Sequence, residues 1–137
     1  MELPEAVNWA SERRLGVLIT IRADGRPQSS DVVYYVDDGV FCISVTADRA
    51  KTANLRRDRR AVLHVSDEKA WSYVSLDGTV ELSPVTTSID DATSDALVNY
   101  FERVAGSHSD WDEYRQAMID ERRLIAHFTP NHATGYV

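Results

Sequence analysis

Over most of the chain the apolar positions come in short runs, and each run is closed by a turn signal. Residues 15–22 (LGVLITIR) are rich in branched side chains and stop before Asp24-Gly25, a pair that favours a hairpin turn. Residues 26–36 (RPQSSDVVYYV) read as the returning strand. Asp37-Asp38-Gly39 turns the chain again into residues 40–45 (VFCISV). Turns this short join antiparallel neighbours, because a parallel crossover needs a dozen or more residues. Residues 60–67 (RAVLHVSD) predict a fourth strand, residues 71–82 (WSYVSLDGTVEL) a long fifth, and residues 122–130 (RRLIAHFTP) a last one.

Between these runs the period changes. Residues 8–14 (NWASERR) close a short N-terminal helix, and Asp48 is placed to cap a second one running through about Arg57. Ser88 opens an amphipathic helix in which Ile89, Ala92, Ala96, Leu97, Tyr100, Phe101 and Val104 recur at helical spacing. The 106–109 stretch (GSHS) breaks it. Ser109 and Asp112 then form an Asp-bearing variant of a capping box for a helix through about Asp120. Trp111, Tyr114 and Met118 on that helix read as packing residues, and the 106–111 loop as a segment able to fold over a cleft. The pattern predicts a mainly β, α+β chain: a six-stranded antiparallel barrel with helical cover, one domain over 1–137.

Charge adds one local feature. The formal net charge is −7, with 15 Lys and Arg against 22 Asp and Glu, yet six of the cations fall between Arg49 and Arg60. The first half of that stretch reads as an anion pocket. A helix N-terminus offers unpaired N–H groups and a positive dipole end. Arg49 adds a guanidinium fork, Lys51 a point charge and Thr52 a hydroxyl, while the preceding strand delivers Ser44 and Thr46 to the same place. The second half, Arg56, Arg57, Arg59 and Arg60, reads as a solvated helix end where cations suit the dipole. A solvated face for the whole run is the competing reading. Nucleic-acid binding is a third, disfavoured by the acidic balance and the absence of interleaved aromatics.

Other chemistry finds little support in the sequence. His64, His108, His127 and His132 lack metal-ligand spacing, and Cys42 lies alone in an apolar strand, as a buried inert thiol would. No Gly-rich phosphate loop or dinucleotide fingerprint appears. The opening residues have neither a basic nor an apolar leader region, and no apolar run approaches the roughly 20 residues of a membrane span, so a cytoplasmic protein without membrane or nucleic-acid partners is expected.

Three blocks, residues 15–36, 43–65 (ISVTADRAKTANLRRDRRAVLHV) and 71–82, resemble the pyridoxamine-phosphate-oxidase-like flavin-binding split barrels. They are most similar to the actinobacterial branch that binds the deazaflavin coenzyme F420, and the similarity extends to residues 106–123 (GSHSDWDEYRQAMIDERR). The resemblance implies a split-barrel homodimer with cofactor sites at the subunit interface. It implies that Arg49, Ala50, Lys51 and Thr52 hold the cofactor phosphate, and that Ser44, Val45 and Thr46 line the ring edge and ribityl chain. Gln28, Ser30 and Asp31 would approach the ring, with Trp71 and Tyr73 nearby, often from the other subunit. The chain ends in PNHATGYV, where His132 is the one polar candidate and the arginine- and histidine-bearing end of the vitamin B6 oxidases is missing. The implied activity is therefore F420-dependent: hydride transfer from the reduced deazaflavin to an electron-poor small-molecule acceptor, with no catalytic side chain or metal assigned. An FMN-dependent oxidase or reductase, or a non-catalytic cofactor carrier, would use the same pocket.

Overall fold

A computed structural model describes residues 1–137. The elements follow in the order α1 (Leu3–Ser11), β1 (Leu15–Ile21), β2 (Pro27–Asp37), β3 (Val40–Thr46), α2 (Ala50–Arg57), β4 (Arg60–Asp67), β5 (Ser72–Leu82), α3 (Ala92–Ala105), α4 (Trp111–Asp120) and β6 (Arg123–Tyr136). The six strands are antiparallel and close into a barrel in the order β1-β2-β3-β6-β5-β4. This is the α+β barrel that the pattern predicts. Alternate residues point inward, so Leu18, Tyr34, Phe41, Ile43, Leu63 and Phe128 fill the interior. A second, smaller core forms outside the barrel, where α3 and α4 cover Cys42 and Ile125 with Leu97 and Tyr114. Burial raises the pKa of the Cys42 thiol, as expected for an inert cysteine.

The ladder is incomplete in one place. β2 and β3 pair only from Tyr34↔Ile43 to Asp37↔Val40. Towards its start, β2 pairs with β1 alone, from Pro27↔Ile21 to Val33↔Leu15. Towards its end, β3 pairs with β6 alone, from Ser44↔Ile125 to Thr46↔Arg123. The barrel is therefore split between Ser30–Val33 and Ser44–Thr46.

Several local expectations are corrected. Arg49, not Asp48, is the residue before α2, with extended backbone and no side-chain cap. Helix α3 starts at Ala92, because Asp91 accepts the Ser94 N–H at 2.7 Å, which leaves Ser88 and Ile89 outside the helix. Asp110 caps α4 through the Glu113 N–H, displacing the Ser109–Asp112 box. Helix α1 ends at Ser11, before the charged residues that follow it. Trp71 lies in the turn before β5, with φ of 56° and 83% exposure. Strand β6 continues six residues past Pro130.

Candidate functional site

The split opens onto a cleft of about 280 Å³ on the outer face of the barrel. Its walls are the outward side chains Asp31 and Val33 of β2 and Ser44 and Thr46 of β3. Tyr100 of α3 closes one end and Arg49, Lys51 and Arg123 the other. The expected site residues Ser44, Val45, Thr46, Arg49 and Lys51 are thus brought together in one chain, and Asp31 joins them.

Helix α2 reaches this position through its polar side chains. Asn54, almost fully buried, donates Nδ2 to Thr20 Oγ1 at 3.0 Å and to Gln28 Oε1 at 2.9 Å. Leu55 packs into the barrel core. Thr52 is fully buried and donates its hydroxyl to the Thr46 carbonyl at 2.6 Å. Its expected service as a hydroxyl donor to an anion is therefore corrected: it ties the helix to the end of β3. The Thr52 and Ala53 N–H groups turn back to the Arg49 carbonyl. The Ala50 and Lys51 N–H groups, on the first turn, receive no side-chain acceptor.

The electrostatics of the cleft are one-sided. Burial pushes the Lys51 pKa down, and the positive charges of Arg49 and then Arg123 push it further. Asp31 is the carboxylate that lines the wall, the Asp48 carboxylate lies beside the Thr46 hydroxyl, and Glu121 is engaged with Arg123. Two buried side-chain polar atoms lack a hydrogen-bond partner in this protein, Ser30 Oγ and Thr46 Oγ1, and both flank the split. The Asp48 carboxyl group is held below its usual range chiefly by the Thr46 hydroxyl, yet approaches it without reaching hydrogen-bond geometry. Buried polar atoms are rarely left unmatched, and such exceptions point to a group that completes them. Three cations, free first-turn N–H groups and an orphaned hydroxyl fit an anion of the phosphate type.

Besides Val32 and Val33, two residues of the cleft, Tyr100 and Arg123, lie outside the site that the sequence predicts. Tyr100 was placed on the apolar face of its helix. Its hydroxyl donates to the Val33 carbonyl at 2.8 Å and faces the Ser44 N–H, which opposes the rise that burial imposes on its pKa. It thus bridges the two strands at the point where their ladder stops. Arg123 was read only as the start of a strand. The register Thr46↔Arg123 sets it beside the end of β3. Its sequence signal was a cation pair, Arg122-Arg123, just before an apolar run.

Other expected residues lie elsewhere. Gln28 and Ser30 point into the barrel, and Gln28 is engaged by Asn54. Trp71 and Tyr73 line a separate groove with His64 and Tyr136. Tyr73 stacks on His64 at 5.4 Å between ring centroids. The row Asp31↔Val17, Val17↔His64, His64↔Ser75 connects this groove to the split across the uncovered face of the barrel. Three strand spacings separate its ends, about 14 Å. The 106–111 loop packs His108 against Phe101, Trp111 and Tyr114 and contributes nothing to the cleft. His132 is exposed on β6, and no helix is long and apolar enough to cross a membrane. Of the later cations, Arg60 pairs with Asp58 at 2.8 Å, and Arg59, 60% exposed, lies 3.9 Å from Glu81, as the solvated-end reading has it.

Solved structures share this fold. The conserved hypothetical protein Rv2991 of Mycobacterium tuberculosis superposes with a TM-score of 0.77 at 24% identity, over 99% of this chain and 84% of that one. A structure named F420 reductase superposes with a TM-score of 0.72 at 23% identity, over 93% and 94%. HutZ, the heme storage protein of Vibrio cholerae, superposes with a TM-score of 0.69 at 16% identity, over 100% and 95%. Residues 3–135 match the family described as pyridoxamine 5'-phosphate oxidase, and with nearly the whole chain inside that match the protein belongs to it.

Proposed function

We propose that the protein is an oxidoreductase that binds coenzyme F420 at the barrel split, with Arg49, Lys51 and the first turn of α2 on the cofactor phosphate. The observation that carries this reading is the convergence of Arg49, Lys51 and Arg123 at the end of β3, where the ladder between β2 and β3 is open. Ser44 and Val45 offer backbone groups along the same edge. The chemistry such a cofactor supplies when bound is hydride donation to an electron-poor organic acceptor. The chain's own part is to bind, orient and shield. F420 is favoured over FMN by the similarity to a structure named F420 reductase.

The reading includes a homodimer. At about 280 Å³ the cleft lies just below the ~300–1,000 Å³ usual for ligand pockets, and it is open to solvent on its outer side. Leu15, Val33, Trp71 and Tyr136 are exposed on the barrel's uncovered face. Two copies meeting there would wall the cleft and bring the Trp71–Tyr73 groove to it.

Parallel fluorescence titrations with F420 and FMN test the proposal, with light scattering on the loaded protein. Tighter binding of F420 and a mass of two chains are expected. Tighter FMN binding would reassign the protein to flavin chemistry, and binding of neither would remove the cofactor reading.

A further inference from the structure

Resting on the phosphate reading of the split, we propose that Arg123 is a third ligand of the bound phosphate and that Glu121 is its built-in competitor, which the anion displaces.

The argument starts from the Arg123 guanidinium. Nε and Nη2 both point at a single oxygen, Glu121 Oε1, each at 3.0 Å. The other carboxylate oxygen is unused by this pair, so the fork-to-fork geometry that makes Arg–carboxylate pairs strong is absent. The remaining arm, Nη1, reaches into the cleft towards Ser44 Oγ at 3.3 Å. The guanidinium is therefore half turned to the site and half turned away. Its side chain is 29% exposed and that of Glu121 46%, so the pair is within reach of solvent and weakly held.

The cleft gives Arg123 a reason to turn. Arg123 lines the same cleft as Lys51, and its charge adds to burial and Arg49 in lowering the Lys51 pKa. The strand register fixes Arg123 directly beside Thr46, a cleft residue whose buried hydroxyl has no hydrogen-bond partner. A phosphate oxygen reaching that hydroxyl arrives next to the one arginine whose fork is only half engaged. A guanidinium offers phosphate two parallel N–H groups, a better match than the single carboxylate oxygen it now holds. Glu121 stands at the C-terminal end of α4, where a negative charge opposes the helix dipole. The position has no evident use in holding the helix and a clear one in neutralising Arg123 while the cleft is without its anion.

The test uses Arg123→Gln, Glu121→Gln and the double variant, with Arg49→Ala and Lys51→Met as references. F420 and FMN affinities are read by fluorescence, with inorganic phosphate as competitor and melting temperature as the folding control. Arg123→Gln should weaken binding about 10-fold or more, the loss expected for a charge-assisted contact. Glu121→Gln should tighten it by up to about 5-fold, the scale of an exposed ion pair. The double variant should bind as weakly as Arg123→Gln, because Glu121 acts through Arg123. Unchanged affinity in Arg123→Gln, with Arg49→Ala and Lys51→Met both weakened, overturns this inference and leaves the phosphate reading standing. Unchanged affinity in all three removes both. Tightening by Glu121→Gln that persists without Arg123 shows a general field effect and overturns the competitor role. Should Arg123→Gln not fold, failure of Glu121→Gln to tighten binding overturns the proposal.

Discussion

Lys51→Met separates the cost of the cation cluster from its use. In the protein without its anion, Lys51 is pushed below the ordinary lysine pKa by burial first, then by Arg49 and Arg123. A lysine whose folded pKa lies below its unfolded value opposes folding while it is charged, and the penalty lifts as pH rises through the folded value. Removing the charge but keeping the aliphatic length should therefore leave the melting temperature of the unliganded protein unchanged or raise it. Binding should move the other way. A lost charge-assisted hydrogen bond to an anion removes about 1.5–3 kcal/mol, roughly a 10- to 150-fold rise in Kd. The pH dependence follows with a fixed sign. A bound anion favours charged Lys51 and raises its pKa, so binding takes up a proton in the window between the free and bound values. Wild-type affinity should fall with rising pH in the alkaline range, starting below the usual lysine value of 10.5, and Lys51→Met should flatten that limb because the arginines do not titrate there. Thermal melts without ligand, and Kd from about pH 7 to about pH 10, supply the measurements. A drop of several degrees in the unliganded variant would refute the argument. So would an equal loss of affinity in Arg59→Ala, whose side chain is 60% exposed beside Glu81.

Tyr100→Phe should remove the bridge across the split. The Val33 carbonyl loses its 2.8 Å partner, at a cost of about 1 kcal/mol, and amide exchange at Ser44 should accelerate; unaltered exchange would show that the hydroxyl does not hold the strands. Gly78→Ala should lower stability by about 1–3 kcal/mol or more through overpacking, read by denaturant titration. A Cβ at that position would lie 2.3 Å from the Thr129 carbonyl oxygen and 2.8 Å from the Phe128 ring, so a neutral result would mean that the β5–β6 pair shifts freely.

The strands were legible because their apolar runs and turn residues are local. The starts of α3 and α4 differ from the expected ones because neighbouring capping side chains compete in each loop, while α2 starts without a side-chain cap. Asp91 prevails over Ser88 by accepting from the Thr87, Ser88 and Ser94 N–H groups at once. The end of β6 was missed because Pro130 reads as a stop. It is tolerated here opposite Gly78, where the β5–β6 register shifts, and a bulge leaves room for a residue without an N–H. Arg49 and Lys51 are legible as cleft residues because a strand end and a helix start lie next to each other in the chain. Tyr100 and Arg123 are not, because their roles depend on contacts such as Tyr100 with Val33, 67 positions apart, and Arg123 with Ser44, 79 positions apart. No local pattern carries such a meeting.

The position of helix α2 beside the split follows from how β2 is composed. Its second half places Val32 and Tyr34 inside the barrel, where they are buried with the core. Its first half offers Gln28 and Ser30 at the corresponding inward positions. Polar side chains there gain nothing from closing against β3 unless every polar atom is matched. Helix α2 supplies that match for Gln28 and Thr20 through Asn54, which sets the helix across the end of the barrel. Ser30 and Thr46 stay unmatched on either side of the gap. The polar half of β2 thus recruits the helix through its polar face and leaves the helix N-terminus, with Arg49 and Lys51, at the opening.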